Sequence, residues 1–93
     1  MIARNWRCAR GELDVVAWRD GVLVVCEVKA RRNGELGDAF ESITPRKVLR
    51  IRRATAMFIA ASRSDVSVPQ FSEVRFDAAA IRGRAVEFRH GVF

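Results

Sequence analysis

Two carboxylates and a lysine beside an apolar run are the residues of this chain whose types and spacing could do chemistry. Glu27 and Lys29 directly follow the apolar run 22–26, and Asp14 lies upstream in a second strand-like segment. Burying charged side chains in so hydrophobic a strand is costly, which indicates that they have a role. An acidic pair with a lysine is typical of metal-assisted hydrolysis of a phosphodiester bond.

A predicted β-hairpin brings these residues together. Asp20-Gly21 is typical of a two-residue type I′ turn between two strands. With those two residues in the turn, Asp14 faces Glu27. Glu12 faces Lys29 by the same count, and all four side chains lie on one face of the ribbon. Opposed Cβ atoms in such a pair are roughly 4.5–5.5 Å apart, where like charges destabilise the pairing.

A divalent cation would reverse the sign of that interaction, because Mg²⁺ and Mn²⁺ prefer oxygen ligands. The candidate catalytic residues are therefore Asp14, Glu27, Lys29 and Glu12. Lys29 would orient or deprotonate a water molecule or stabilise charge in the transition state. Glu12 would hold Lys29 in place or serve the outer shell of the site.

The composition indicates one small folded domain, residues 1–93, with a nucleic-acid partner. The chain is 49% hydrophobic and 30% charged, which excludes a disordered protein. Its net charge is +6, and 15 of its 17 cationic side chains are Arg. Arg matches phosphate oxygens well, so DNA is the expected partner. An Arg-rich proteome is an alternative explanation of the Arg bias.

Other residue classes point away from further sites. No run is apolar and long enough for a membrane span, and no signal peptide opens the chain, so we expect a cytoplasmic protein. Cys8 and Cys26 lack metal-ligand spacing and are expected to be reduced and partly buried. His90 stands alone and is expected at the surface. Asp77 is expected to be a structural partner of an Arg.

Hydrophobic periodicity predicts an α/β fold with the order β-β-β-α-β-β, a mixed sheet of about five strands with one main helix. The predicted strands cover residues 2–8, 12–19, 22–30, 71–81 and 84–89. The second strand is expected to place Leu13, Val15 and Ala17 on one face. The third is apolar on both faces, which is typical of a central strand covered on both sides. The fourth is expected to alternate apolar and polar residues.

The helix is predicted to begin at Pro45, with Thr44 as its N-cap, and to end at Ala61 or Ser62. One face carries the residues expected to pack on the sheet: Val48, Ile51, Thr55, Phe58 and Ile59. Cations occupy the opposite face. Such a face is usually just solvated, and the alternative is a ridge that tracks phosphates. With the start of the loop 31–44, the candidate nucleic-acid-binding residues are Arg31, Arg32, Arg46, Lys47, Arg50 and Arg53.

Five sequence blocks carry a resemblance to a known family. They are Ala3-Arg4-Asn5-Trp6, residues 11–17, residues 25–29, Thr44-Pro45-Arg46-Lys47 and Val74-Arg75-Phe76-Asp77. In these blocks the chain resembles the YraN-type family of uncharacterised bacterial proteins. Asp14 and Glu27-x-Lys29 also resemble the PD-(D/E)xK motif of nucleases with the restriction-endonuclease-like fold. Their spacing is similar to that of archaeal Holliday-junction resolvases.

The resemblance implies a restriction-endonuclease-like α/β fold with Asp14 and Glu27 as ligands of Mg²⁺ or Mn²⁺. It implies the backbone carbonyl of Val28 as a third ligand and Lys29 as the catalytic lysine. Members of the family begin with an N-terminal helix, whereas this sequence begins at the first strand, so we expect the fold without that helix. The sheet face left uncovered is a candidate surface for a homodimer.

Three functions are compatible with these features. The first is a Mg²⁺-dependent DNA endonuclease acting on branched or repair DNA. The second is a non-catalytic nucleic-acid-binding module with a relic nuclease site. The third is a scaffold that binds a protein partner through its exposed apolar face. The alternative to all three functions is that Asp14, Glu27 and Lys29 are only a charge cluster at the sheet edge, neutralised by Glu12 and nearby Arg side chains.

Overall fold

In the described part of the chain, one mixed five-stranded sheet carries one helix packed on it, as the sequence predicts. The structure, a computed structural model, describes residues 1–31 and 43–92. The elements are β1 (Ala3–Cys8), β2 (Gly11–Arg19), β3 (Val22–Arg31), α1 (Pro45–Ser62), β4 (Glu73–Arg82) and β5 (Ala85–Arg89). The strands lie in chain order, antiparallel except for the parallel pair β3–β4. Across the described ranges, no helix is apolar and long enough to cross a membrane.

The hairpin register of β2 and β3 is the predicted one. Asp20 and Gly21 form the turn with φ values of 50° and 79°, as a type I′ turn requires. Arg19 pairs with Val22, and the ladder continues to Val15 opposite Cys26. The ladder ends there, one residue short of the acidic pair. The strands therefore begin to separate where the site is expected.

The alternation of β2 is interrupted at Asp14. Leu13 and Val16 are both almost fully buried in the core cluster that includes residues of α1. Residues three apart in a regular strand point to opposite faces, so the strand must twist locally between them. Opposite Asp14, the β1–β2 ladder skips Asn5, whose φ is +50°. The prediction that Leu13 shares a face with Val15 and Ala17 is wrong for this reason.

The helix is capped and oriented by its sequence. The Thr44 side chain accepts a hydrogen bond from the Lys47 backbone amide at 3.3 Å, and Pro45 follows as the first helical residue. The buried face consists of Ile51, Ala54, Thr55 and Phe58. Of the predicted core face, Val48 and Ile59 are only half-buried. The Phe58 ring meets the edge of Trp6 on β1 at a centroid distance of 5.3 Å.

The parallel ladder between β3 and β4 runs the full length of both strands, from Val22 opposite Glu73 to Arg31 opposite Arg82. β3 is the central strand, as predicted. Its Leu23 and Val25 are buried on the helix side. Val24, Cys26 and Val28 alternate with them and are only half-buried. The expectation of full cover on both faces of β3 is therefore met on one face only.

Four consecutive residues of β4, Phe76 to Ala79, are buried, so the predicted alternation of apolar and polar positions is wrong there. The reason is Asp77, whose carboxylate is 3% exposed. Arg75 donates two hydrogen bonds to it, from Nε and Nη2, each 2.9 Å long. His90 Nδ1 lies 2.9 Å from the same carboxylate, and the Gly91 amide donates another hydrogen bond.

Asp77 therefore fastens the residues that follow β5 onto β4. Burial acts to raise the pKa of Asp77, but the hydrogen bonds from Arg75, His90 and Gly91 hold it below its usual value. The interpretation of Asp77 as a structural partner of an Arg is confirmed. His90 is exposed, as predicted, although its ring also takes part in this structural contact.

Replacing this carboxylate should loosen the terminal segment. Asp77→Ala removes an acceptor shared by three donors, and we expect a loss of about 1–3 kcal/mol in the free energy of unfolding. Urea denaturation measures it. Glu87→Ala, at an exposed site on β5 paired only at 4.0 Å with Arg89, should stay within about 0.5 kcal/mol of wild type. Equal stability of the two variants would contradict the structural role of Asp77.

Candidate nuclease-like cleft

One open cleft gathers the candidate catalytic residues. It lies between the diverging ends of β2 and β3 on one side and the first turns of α1 on the other, and its volume is about 180 Å³. Its lining residues are Glu12, Asp14, Glu27, Lys29, Lys47, Arg50 and Ile51. All four side chains that the hairpin register predicted to meet are among them. The cleft is at the polar end of the ribbon, as the sequence indicates.

Asp14 occupies the fork between the two strands. Its Oδ2 accepts a hydrogen bond of 2.8 Å from the backbone amide of Val28. In a continued ladder that amide would bond to a backbone carbonyl of β2. The Asp14 carboxylate thus replaces the ladder where the strands part, and this bond fixes it beside Glu27. The backbone carbonyl of Val28 remains a ligand implied only by the family resemblance.

Glu27 and Lys29 form an ion pair within β3. Lys29 Nζ lies 3.5 Å from Glu27 Oε1, and their side chains are only 24% and 16% exposed. The pKa of Glu27 is raised to about 7, mainly by burial and next by the adjacent Asp14 charge, although Lys29 acts in the opposite direction. The predicted proximity of two acids is therefore present, and near neutral pH the pair tends to retain a proton.

Glu12 has a different partner from the predicted one. It lines the cleft, but its ion pair is with Arg7 on β1, at 3.5 Å, whereas Lys29 pairs with Glu27. The prediction that Glu12 holds Lys29 in place is wrong because β2 and β3 have already separated at this level. Glu12 is a rim residue paired with Arg7, a residue that no motif of the sequence singles out.

Cys26 also lies beside the acids but has no catalytic character. The pKa of its thiol is raised to about 11, mainly by burial and further by the charges of Asp77, Asp14 and Glu27. A thiol in this environment stays protonated and unreactive at neutral pH. Both Cys8 and Cys26 are free and half-buried, as expected.

The cations of α1 divide into two groups. Lys47 and Arg50 line the cleft, whereas Arg46 and Arg53 are exposed outside it. Arg52 lies over the ring of Phe76 at 4.7 Å from its centroid. Arg32 falls outside the described residues, and Arg31 is described only as the last backbone position of β3. Of the four predicted nucleic-acid-binding residues whose side chains are described, Lys47 and Arg50 are therefore next to the acidic pair.

The donor set of the cleft fits Mg²⁺ or Mn²⁺. Carboxylate oxygens suit these hard cations, and Mg²⁺ commonly binds through one or two carboxylates while waters and substrate phosphate complete its shell. After burial, the adjacent Asp14 charge is the largest cause of the raised pKa of Glu27, and a bound cation would offset that repulsion. In the described part of the chain, no cluster of three His, Cys, Asp or Glu side chains offers a denser ligand set.

The raised pKa of Glu27 predicts how the free energy of unfolding of the metal-free protein depends on pH. A chelator in the sample keeps metal ions away from the acidic pair. The folded protein holds a proton on this carboxyl that the unfolded chain, with a pKa near 4.5, has released. This stabilising contribution is complete below pH 4.5 and is lost as the pH rises through about 7. Glu27→Gln should therefore gain about 1–2 kcal/mol over wild type between pH 5 and pH 8.

Thermal denaturation over that pH range measures the difference. Glu12→Gln is the matched control, since the Glu12 carboxyl is on the exposed rim of the same cleft. It should run parallel to wild type. A Glu27→Gln curve that is also parallel to wild type would show that the pKa of Glu27 is not raised in the folded protein.

Comparisons with known proteins agree with the family resemblance carried by the sequence blocks described above. A protein from Acidothermus cellulolyticus is 45% identical over 104 aligned positions, covering the whole of this chain and 78% of the relative. One from Kineococcus radiotolerans is 50% identical over 82, covering 87% of this chain and 63% of the relative. One from Roseiflexus castenholzii is 39% identical over 90, covering 97% and 73%. Each is named "UPF0102 protein".

The chain thus spans between 63% and 78% of the length of these three relatives. The model of one family matches residues 1–81, which include the whole cleft and most of the sheet. The family is described as "Uncharacterised protein family UPF0102", and this chain belongs to it.

Proposed function

We propose that the protein is a metal-dependent DNA endonuclease with a restriction-endonuclease-like fold. The observation that carries the proposal is the meeting of Asp14, Glu27 and Lys29 in one cleft whose opposite wall is cationic. Acids without such a wall would repel a phosphodiester. Cations without the acids would bind a phosphate but could not hold a metal ion. The combination suits hydrolysis of a phosphodiester bond.

In this function Asp14 and Glu27 hold Mg²⁺ or Mn²⁺, with the Val28 carbonyl as a further ligand. A bound cation neutralises charge on the scissile phosphate and lowers the pKa of a coordinated water. Lys29, held 3.5 Å from Glu27, orients the attacking oxygen and stabilises negative charge as it builds on the phosphate. The new bond joins that oxygen to phosphorus as the water gives up a proton to solvent. The bond to the leaving sugar oxygen breaks, and that oxygen takes up a proton from solvent.

Metal binding is the first test. Titration calorimetry with Mn²⁺ or Mg²⁺ at pH 8, where Glu27 is ionised, should give binding heat with wild type and none with Asp14→Ala. Glu12→Ala should bind the ion like wild type, because its carboxylate is engaged by Arg7 at the rim. Equal metal binding by wild type and Asp14→Ala would remove the proposed site.

Cleavage is the second test. Junction, flap and linear DNA are incubated with protein and Mn²⁺ or Mg²⁺, and products are resolved on denaturing gels. Glu27→Ala and Lys29→Ala should each reduce the rate by about a hundredfold or more. Arg84→Ala, in the exposed turn between β4 and β5, should cleave like wild type. If Glu27→Ala and Lys29→Ala both cleave DNA at the wild-type rate, the cleavage comes from a contaminating nuclease.

A second candidate is a nucleic-acid-binding module without catalysis. One observation favours it: among the described residues only two carboxylates, Asp14 and Glu27, sit together beside the lysine, with no third strong ligand. Such a module would bind DNA with the salt dependence of phosphate contacts and would not cleave it with any metal ion. The cleavage assay separates the two functions.

A further inference from the structure

The contact between Gly11 and Arg50 indicates that the cationic side chains of α1 do not all have the same role. Gly11 opens β2 opposite Cys8, with φ +151°. A Cβ atom at this position would lie 3.1 Å from Arg50 Cγ and 3.5 Å from Arg50 Cδ. The stem of the Arg50 side chain therefore passes directly over the glycine. A side chain at position 11 would push it away.

The course of that stem brings Arg50 to the cleft. Arg50 lines the cleft together with Glu12 and Asp14, which follow Gly11 on the same strand. Arg53, one turn further along, is just as exposed but lies outside the lining. The two arginines differ in what they lie against, since only Arg50 rests on a glycine of β2. Sequence periodicity does not distinguish the two arginines, whereas the contact of Arg50 with β2 does.

We propose that Arg50 binds a backbone phosphate of the nucleic acid next to the acidic pair, and that Gly11 is the positioning residue that makes room for it. The proposal rests on the nucleic-acid-binding part of the proposed function. An Arg guanidinium matches phosphate oxygens bidentately, and its contribution grows when its stem is held in place. Lys47 supplies a second cation on the same wall. Arg46 and Arg53 stay in solvent.

A binding assay without metal tests this independently of cleavage. Affinity for a fluorescent DNA junction is measured in EDTA over a series of NaCl concentrations. Arg50→Ala should weaken binding about tenfold or more and lower the salt slope by about one. Arg53→Ala, the matched control, should stay within about twofold, because its side chain lies outside the cleft lining and would make no phosphate contact there. Equal losses in the two variants overturn the proposal.

Gly11 is tested by a double-mutant cycle. Gly11→Ala should weaken DNA binding in the wild-type background but cause no further loss in the Arg50→Ala background, because its effect passes through Arg50. Independent losses that add would assign Gly11 a structural role instead. Circular dichroism and thermal melting establish that each variant is folded. If Gly11→Ala does not fold, the comparison of Arg50→Ala with Arg53→Ala still decides on Arg50.

The outcomes distinguish this inference from the proposed nuclease. A loss specific to Arg50 in a protein that never cleaves DNA removes the nuclease and keeps the phosphate contact. Cleavage by wild type with equal losses for Arg50→Ala and Arg53→Ala keeps the nuclease and removes the phosphate contact. A wild-type protein that binds no DNA in any salt concentration overturns the inference.

Discussion

The repulsion between Asp14 and Glu27 is the constraint around which the rest of the site is arranged. Two acids at the end of an antiparallel ladder oppose closure of that ladder, and here the ladder stops one pair before them. The Asp14 carboxylate takes over a backbone amide of β3 that the ladder would otherwise use. The separated strands leave an opening, and cationic side chains of α1 line its other side. The cleft thus results from the same pair of acids that lies within it.

The balance of charges in the cleft explains why a basic protein tolerates three acids there. Among the residues that line it, Glu12, Asp14 and Glu27 face Lys29, Lys47 and Arg50, so a fully ionised cleft is close to neutral. A proton or a divalent cation on the acidic pair makes it net positive. In the proposed function, electrostatic attraction of a phosphodiester would then depend on what occupies the pair, and so on the state of Glu27.

Local chemistry in the sequence predicted much of this arrangement. The Asp20-Gly21 turn fixes the register of β2 and β3, and Thr44-Pro45 fixes the start of α1, because each depends only on neighbouring residues. The same register led directly to Asp14 and Glu27. The element order and the mixed character of the sheet also followed from segment lengths and hydrophobic pattern.

Features that depend on distant contacts could not be predicted in this way. Leu13 joins the core beside Val16 because β2 twists where it meets β1 and α1. Asp77 is buried because residues 90 and 91 fold back onto it, thirteen and fourteen positions along the chain. The different positions of Arg50 and Arg53 arise from a helix–strand contact. Periodicity describes one element at a time and carries none of this information.

The order of the strands has a consequence for biosynthesis. Every described residue of the cleft lies before residue 52, whereas the strand that braces β3 comes from residues 73–82. Because a polypeptide leaves the ribosome N-terminus first, the hairpin with both acids exists before its parallel neighbour has been made. A ribbon of few strands is only marginally stable alone. Assembly of the cleft is therefore completed only after β4 has been made and has paired with the strand that carries Glu27 and Lys29.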